Sequence, residues 1–270
     1  MARAIWTGTI SFGLVNVPVK LYKAIDQKDI RFHQLDEKSG ARVRNKRVSE
    51  KSGREVPYER IVKGYEVDKG TFIPVTREEL ESVEPQRQNV IDVEDIVELS
   101  DIDPMQFVRT YWLAPADDAG AAKAYALLTK ALERAERVAV GRFVLRTKEH
   151  LVAIRAVDGA LALHTMLFPD EVVSTKDVAG LPVKARPSKR ELEMAEDLVS
   201  ALTTEWDPSR YRDRYRKRVR DLIERKAEGD EIVVTEPEPE EAEVVDLMAM
   251  LEKSLEGTRG KRRSKRRRSA

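Results

Sequence analysis

Apolar and polar residues alternate through much of the N-terminal half, a period of two that predicts β-strands. Ala4–Ile10 and Leu14–Tyr22 are β-branched alternating runs separated by Ser11-Phe12-Gly13, and Pro18 in the second points to a sheet edge or a bulge. Further strands are predicted at Ile30–Leu35, Ala41–Val48, Thr71–Pro74, Asn89–Leu99 and Phe107–Ala114, with Gly40, Gly53, Gly64 and Gly70 as turns. Around Lys38-Ser39-Gly40 and Lys51-Ser52-Gly53 the residues Arg42, Arg44 and Lys46 alternate without an apolar face of equal strength. That stretch reads as an extended charged hairpin, an arm projecting from a barrel.

The period then changes to that of a helix. Ala122, Tyr125, Ala126, Leu128, Thr129 and Leu132 make an apolar stripe over Ala119–Arg137, beside Lys123, Lys130, Glu133 and Arg134. Val138–Arg146, Leu151–Val157 and Ala160–Leu167 return to strand patterning, with Asp158-Gly159 as the last turn. The chain loosens through Lys176–Pro187. Ser188 with Glu191 then forms a capping box that opens a helix to Thr204, and Pro208 sits at the first position of another running to Ala227. In that second helix Tyr211, Tyr215, Val219, Leu222 and Ile223 share a face. Arg210, Arg212, Arg214, Arg216, Lys217, Arg218, Arg220, Arg225 and Lys226 fill the rest.

Thr235–Glu241 is a stiff acidic linker, and Ala242–Leu255 a short amphipathic helix carrying Val244, Val245, Leu247, Met248, Leu251 and Leu255. Such a helix docks into a groove or frays. No internal repeat stands out. The predicted organisation is mixed β and α: a barrel core with its arm over 1–187, a helical region over 188–227, an acidic linker and helix over 228–256, and a basic disordered tail over 257–270.

Composition changes this picture mainly by exclusion. Of 270 residues 36% are charged and only 6% aromatic, against about 25% charged in an average globular protein. A length prior of ~150 residues per domain suggests about two domains. No cysteine is present, which removes disulfides, thiolate nucleophiles, iron–sulfur clusters and cysteine zinc sites, and fits a reducing cytoplasm. Met1–Gly8 has one Arg and no apolar run of signal-peptide length, and nowhere do ~18 consecutive apolar residues occur. Neither secretion nor a membrane span is expected.

Lys and Arg number 49 against 48 Asp and Glu, a formal charge of +1 that hides a strong segregation. Gly257–Ala270 holds eight cations (Arg259, Lys261, Arg262, Arg263, Lys265, Arg266, Arg267, Arg268) and no acid. Glu228–Glu256 holds eleven acids and one Lys, net −10, which leaves +3 for residues 1–227. Within the body, Arg31–Lys63 has ten basic and five acidic residues, and Thr76–Asp103 two basic and ten acidic. A basic strip of this kind is the footprint of a nucleic-acid binder, because phosphate neutralisation supplies most non-specific affinity. The competing account is a solvated surface whose charges happen to cluster.

Candidate catalytic chemistry is thin. His33, His150 and His164 are widely spaced and show no ligand pattern, so no metal role is expected of them. Gly8 and Gly13 have P-loop spacing, but Leu14 and Val15 stand where Lys and Ser or Thr are required. No Gly-x-Ser-x-Gly occurs. Asp92, Glu94, Asp95, Glu98, Asp101 and Asp103 form an acidic cluster that a magnesium-dependent nuclease would need. A solvated strand followed by a turn is the simpler reading. The residues therefore favour a non-enzymatic binding module without cofactor or metal.

The run from Ala4 to Tyr22 (AIWTGTISFGLVNVPVKLY), with Phe32-His33-Gln34-Leu35 and Val62-Lys63-Gly64-Tyr65-Glu66, closely resembles the prokaryotic Ku family. The likeness continues in family order through Tyr111-Trp112-Leu113-Ala114-Pro115, Lys123-Ala124-Tyr125-Ala126-Leu127-Leu128, Arg142-Phe143-Val144-Leu145-Arg146 and Ala201-Leu202-Thr203-Thr204-Glu205-Trp206, and so covers about Ala2 to Lys226. It implies a Ku-like antiparallel β-barrel whose arms form a dimeric ring on a double-stranded DNA end. It further implies sugar–phosphate contacts with little base readout, recruitment and stimulation of the ATP-dependent ligase D in non-homologous end joining, and a cytoplasmic, nucleoid-associated place of work.

For DNA contacts the strip offers Arg42, Arg44, Lys46, Arg47, Lys51 and Arg54, with Lys20, Lys23, Arg31 and Lys63 behind them. Their alternative role is surface pairing with Asp36, Glu37, Glu50, Glu55 or Glu59, worth little between exposed partners. The resemblance maps ligase docking to the two C-terminal helices, where Trp206, Tyr211 and Tyr215 either dock the partner or pack the helices together. Basic tails in part of the family hold DNA outside the ring; here the adjoining −10 segment competes for the tail. Two other classes remain open: a chromatin-like architectural binder indifferent to ends, and the nuclease.

Overall fold

The computed structural model describes residues 3–83, 89–117, 119–181, 183 and 185–229. The chain divides into two units, Met1–Val178 and Ala179–Ala270.

The first unit is built on a closed barrel. Its strands are β1 (Trp6–Phe12), β2 (Val15–Lys23), β5 (Val90–Glu98), β6 (Phe107–Pro115), β7 (Arg137–Leu145), β8 (Lys148–Val157) and β9 (Ala160–Met166), in the spatial order β1-β2-β6-β9-β8-β7-β5. All neighbours are antiparallel except the closing pair, where Thr9, Ile10 and Ser11 of β1 run parallel to Val90, Ile91 and Asp92. Between β2 and β5 the chain leaves the barrel and forms a separate hairpin, β3 (Lys63–Asp68) with β4 (Thr71–Val75), then the short helix α1 (Arg77–Ser82). Helix α2 (Ala119–Ala135) joins β6 to β7.

Alternation explains which faces are inside. In β2, Val17, Val19 and Leu21 are buried while Pro18, Lys20 and Tyr22 are half-buried, as a strand's period of two requires. With Ile10, Ile91, Leu113, Phe143, Val152, Ile154, Leu161 and Leu163 they fill the interior. In β9 the residues Leu161–Met166 are all buried, because its outward face is also covered. There Met166 and Ala153 pack with Val138 and Ile102, flanked by Phe107, Val140 and Leu151.

Pro18 is tolerated within this closed sheet for a local reason. Its carbonyl accepts from the Ala116 N–H at 3.0 Å, just past the end of β6, so the N–H it lacks faces a side where β6 has already stopped.

A bulge in β5 sets the phase of the acidic cluster. The register with β7 slips between Val93 and Asp95, so Val93 packs on the inner core and Val97 on the outer one. The simple alternation expected for Asp92, Glu94 and Asp95 is broken by that extra residue. Gly141 lies opposite, where a Cβ would meet the Asp92 carbonyl oxygen at 2.1 Å.

Helix α2 is tied to the barrel by one hydroxyl. Tyr125 Oη donates to the Leu113 carbonyl (2.7 Å) and accepts from the Leu161 N–H (2.8 Å), bridging ladder partners on β6 and β9. Burial pushes its phenol up, so the hydroxyl keeps its proton. Tyr125 and Leu132 complete the interior cluster.

Several expectations are corrected. Ile30–Leu35 and Ala41–Val48 are not strands, and no extended hairpin forms there. The chain makes two compact turns instead, each closed by a single bridge, Leu35 to Arg42 and Val48 to Glu55. Gly40 and Gly53, at φ +65° and +64°, end each turn before a ladder can propagate. The two turns repeat an E-K-S-G core, so an internal repeat is present after all. Strand β3 and helix α1 are additional elements; Thr76 accepts from the Glu79 N–H and Glu79 reaches back to the Thr76 N–H, a capping box that the sequence carries.

The second unit contains α3 (Lys189–Leu202) and α4 (Arg214–Glu228). Ser188 and Glu191 form the expected capping box at 3.3 and 2.6 Å. The second helix begins at Arg214 rather than Pro208, because the Asp213 carboxylate accepts from the Arg216 N–H and caps it there; Pro208–Arg210 is only a 3-10 turn. The stretch predicted as a helix over Ala242–Leu255 lies outside the described residues.

Tyr125→Phe removes both bonds of that hydroxyl and leaves a buried N–H and carbonyl unpaired, so urea unfolding will show a loss of about 1–3 kcal/mol. His164, nine-tenths buried, accepts from Arg155 Nε at Nε2 (3.0 Å) and meets Thr110 Oγ1 at Nδ1 (2.9 Å). Burial and the Arg155 charge hold its pKa below the usual value of 6.5. The unfolded chain takes up that proton first as pH falls, so stability present above about pH 6.5 declines below it and levels off beneath the folded pKa. Comparing urea midpoints from pH 7.5 to 5, His164→Gln will show a shallower decline than the parent; equal slopes would remove His164 as a contributor.

Candidate nucleic-acid interface

Charge-rich sequence without an apolar face cannot close a core, and the excursion between β2 and β5 behaves accordingly. From Ala24 to Val83 not one side chain is buried. The segment is held by local hydrogen bonds instead, in two copies of one pattern. In the first turn the N–H groups of Asp36, Gly40 and Val43 donate to the carbonyls of Ala41, Asp36 and Gln34 at 2.8–3.0 Å. In the second, Ser49, Gly53 and Val56 donate to Arg54, Ser49 and Arg47 at 2.7–2.8 Å. The Ser39 hydroxyl, with the Lys38 and Ser39 N–H groups, also holds the Asp36 carboxyl below the usual carboxylate range. Asp36 is therefore occupied within its own turn.

This scaffold sorts the candidate cations. Arg42, Arg44, Lys51 and Arg54 are exposed and have no ion pair among the described residues. Lys46 is bound to Glu55 at 2.7 Å, and the Arg47 guanidinium lies 4.8 Å from the centre of the Tyr58 ring. Lys23, at the end of β2, with Arg31 and Lys63 is exposed at the root and along the length of the excursion. Lys20 is engaged by Asp117, whose hydrogen bond raises the lysine pKa. The turns thus leave Lys38, Arg42, Arg44, Arg47, Lys51 and Arg54 without an ion pair among the described residues, Arg47 lying over the Tyr58 ring.

The same excursion exposes apolar side chains. Phe32, Tyr58, Val62, Tyr65 and Phe72 are each 59–71% exposed. Cations and exposed apolar side chains thus occur on the same excursion.

The acidic cluster is otherwise employed. Glu94 pairs with Arg142 (3.3 Å), Glu98 with Arg137 (2.9 Å), the Asp101 carboxylate accepts from the Glu98 N–H (3.3 Å), and that of Asp103 from the Met105 N–H (2.8 Å). Among the described residues no group of three His, Asp or Glu is disposed to hold a metal ion. No described helix is long and apolar enough to cross a membrane.

In the second unit Trp206 and Tyr211 stack on each other, 5.1 Å between centroids at 28°. Trp206, Tyr211 and Tyr215 remain 76%, 68% and 75% exposed, so they do not serve as a core between the helices. The eight tail cations from Arg259 to Arg268 lie outside the described residues.

Comparison with known proteins agrees with this architecture. Residues 11–194 match the family described as Ku70/Ku80 beta-barrel domain. The chain is 50% identical over 260 residues to a non-homologous end joining protein Ku of Anaeromyxobacter sp. (strain K), covering 96% of this chain and 87% of that one. It is 41% identical over 256 residues to the protein so named in Heliobacterium modesticaldum, covering 95% and 92%. Against the Mycobacterium tuberculosis protein of that name it is 40% identical over 261 residues, covering 94% of each. Closed barrel and near full-length likeness to these relatives together make this chain a member of the Ku family.

Proposed function

We propose that the chain binds double-stranded DNA ends without regard to sequence, as a homodimer whose two arms close a ring around the duplex. The observation that carries this reading is the arm from Ala24 to Val83: no buried residue, two repeated turns whose cations other than Lys46 have no ion pair among the described residues, and apolar side chains in need of cover. Phosphates neutralise the cations of Arg42, Arg44, Lys51 and Arg54, with Lys46, Arg47, Lys23, Arg31, Lys63 and, after exchange of Asp117, Lys20 as further contacts. A second copy covers the apolar side chains. Backbone contacts of this sort fix position and carry no sequence information.

The protein in this role is a clamp and performs no catalysis. The body over 1–187 holds DNA, and the helical region over 188–227 presents Trp206, Tyr211 and Tyr215 to the ATP-dependent ligase D, so that the bound end is delivered for joining. The relatives' shared name, non-homologous end joining protein Ku, supports that destination. The basic tail over 257–270 adds a contact with DNA outside the ring, beyond the acidic stretch of 228–256.

A threaded ring has a topological signature. At fixed near-physiological salt the protein will bind linear duplex stably, remain trapped when that duplex is covalently circularised, and load poorly onto circles already closed. Equal binding to closed circles without trapping would sink the ring and leave an architectural binder. In the same assay Arg42→Glu with Arg44→Glu will lower the slope of log affinity against log salt by about 2, two phosphate contacts being lost. For the helical region, Trp206→Ala with Tyr211→Ala will leave end binding unchanged while abolishing stimulation of ligase D; retained stimulation would remove the aromatic pair from the docking surface.

A further inference from the structure

The two turns of the arm match bond for bond, thirteen positions apart. The bridge from Leu35 to Arg42 recurs from Val48 to Glu55, and Gly40 and Gly53 hold φ of +65° and +64°. The serine of each core points the same way: the Ser39 hydroxyl oxygen accepts from the Ala41 N–H at 3.3 Å and that of Ser52 from the Arg54 N–H at 3.4 Å. Successive N–H groups in such a turn form a concavity that binds anions. In the first turn the anion is built in. The Asp36 carboxylate accepts from the Ser39 hydroxyl and from the Ser39 N–H (3.2 Å), and the Ser39 hydroxyl with the Lys38 and Ser39 N–H groups favours its charged form.

The second turn has the same donors and no carboxylate. Ser49 stands at the position of Asp36, and among the described residues the N–H groups of Lys51 and Ser52 meet no acceptor. A second difference has the same sense: Arg54 stands where the first turn has Ala41. Glu55, which stands where the first turn has Arg42, is taken up by Lys46 at 2.7 Å. Residues 34–43 hold two cations and two acids and balance at zero, whereas residues 47–56 hold three cations and two acids, +1. The first turn is thus closed by its own charge, and the second is open to one from outside.

From this we propose that the second turn is a phosphate seat, in which a phosphate oxygen takes the place that the Asp36 carboxylate has in the first. The N–H groups of Lys51 and Ser52 and the Ser52 hydroxyl donate to it, and the side chains of Lys51 and Arg54, which have no ion pair among the described residues, neutralise it. Bonds from such donors to an ionised oxygen are about twice as strong as neutral ones. Assigning that oxygen to a backbone phosphodiester of DNA rests on the DNA-binding reading above; the seat itself does not.

In the full-length protein, the amide resonances of Lys51 and Ser52 will move saturably on titration with inorganic phosphate, while those of Lys38 and Ser39 stay in place. Ser49→Asp supplies the missing carboxylate and will abolish the movement. Asp36→Ser with Ser49→Asp, which leaves the net charge unchanged, will transfer it to Lys38 and Ser39. No saturable movement, equal movement in both turns of the parent, or an equal response to acetate would overturn the seat. With duplex ends, Ser49→Asp will lower the slope of log affinity against log salt by about 1 more than Asn45→Asp, the same change of charge placed between the turns, whether or not the end carries a 5′-phosphate. Equal slopes for the two variants would remove DNA from the seat. A difference confined to 5′-phosphorylated ends would seat the terminal phosphate and overturn the backbone assignment. A phosphate response in a protein that binds no DNA end would sink the DNA-binding reading and leave the seat standing.

Discussion

The parallel pairing of β1 with β5 is the constraint on which the rest of the molecule depends. It spans only three residue pairs, yet it turns a seven-stranded sheet into a closed barrel and removes both edges. Two close approaches permit it. At Gly8 a Cβ would meet the Asn89 carbonyl oxygen at 2.3 Å and the Trp6 indole at a similar distance; at Gly141 it would meet the Asp92 carbonyl oxygen. β5 is therefore clasped on both sides at positions where only glycine leaves room. Trp6, lying over Gly8, then meets Phe143 edge-on at 5.6 Å and joins the closure to the core.

Closure also decides what the arm can be. The arm follows β2 directly, and nothing within it is buried. The arm itself rests on backbone hydrogen bonds, each worth about 0.5–1.5 kcal/mol net, against an ordering cost of about 1–2 kcal/mol per residue. Such a segment lies at the low-stability end of the native ensemble and gains most from a partner that covers it.

The barrel was legible because its chemistry is local. Alternation in β2, the Asp158-Gly159 turn and the apolar stripe of α2 each point to one element, and the structure contains all three. The arm was not, since Val43 and Val48 among cations mimic a charged strand, whereas the outcome is set by Gly40 and Gly53 at the end of each E-K-S-G core. That thirteen-residue repeat was the available signal. Charge segregation identified the cationic strip, and Glu55, the partner of Lys46, stood among the nearby acids the sequence offered; Asp117, ninety-seven positions from Lys20, did not. Spacing along a chain carries no information about such pairs.

A net charge of +1 is no obstacle to polyanion binding when opposite charges lie on different segments. Screening confines each block's influence to about 8 Å at physiological ionic strength, so the total charge of a chain says little about the field at any one turn. What matters is which block adjoins which. Residues 208–227, 228–256 and 257–270 carry +6, −10 and +8, and the acidic block can neutralise one neighbour fully or both in part.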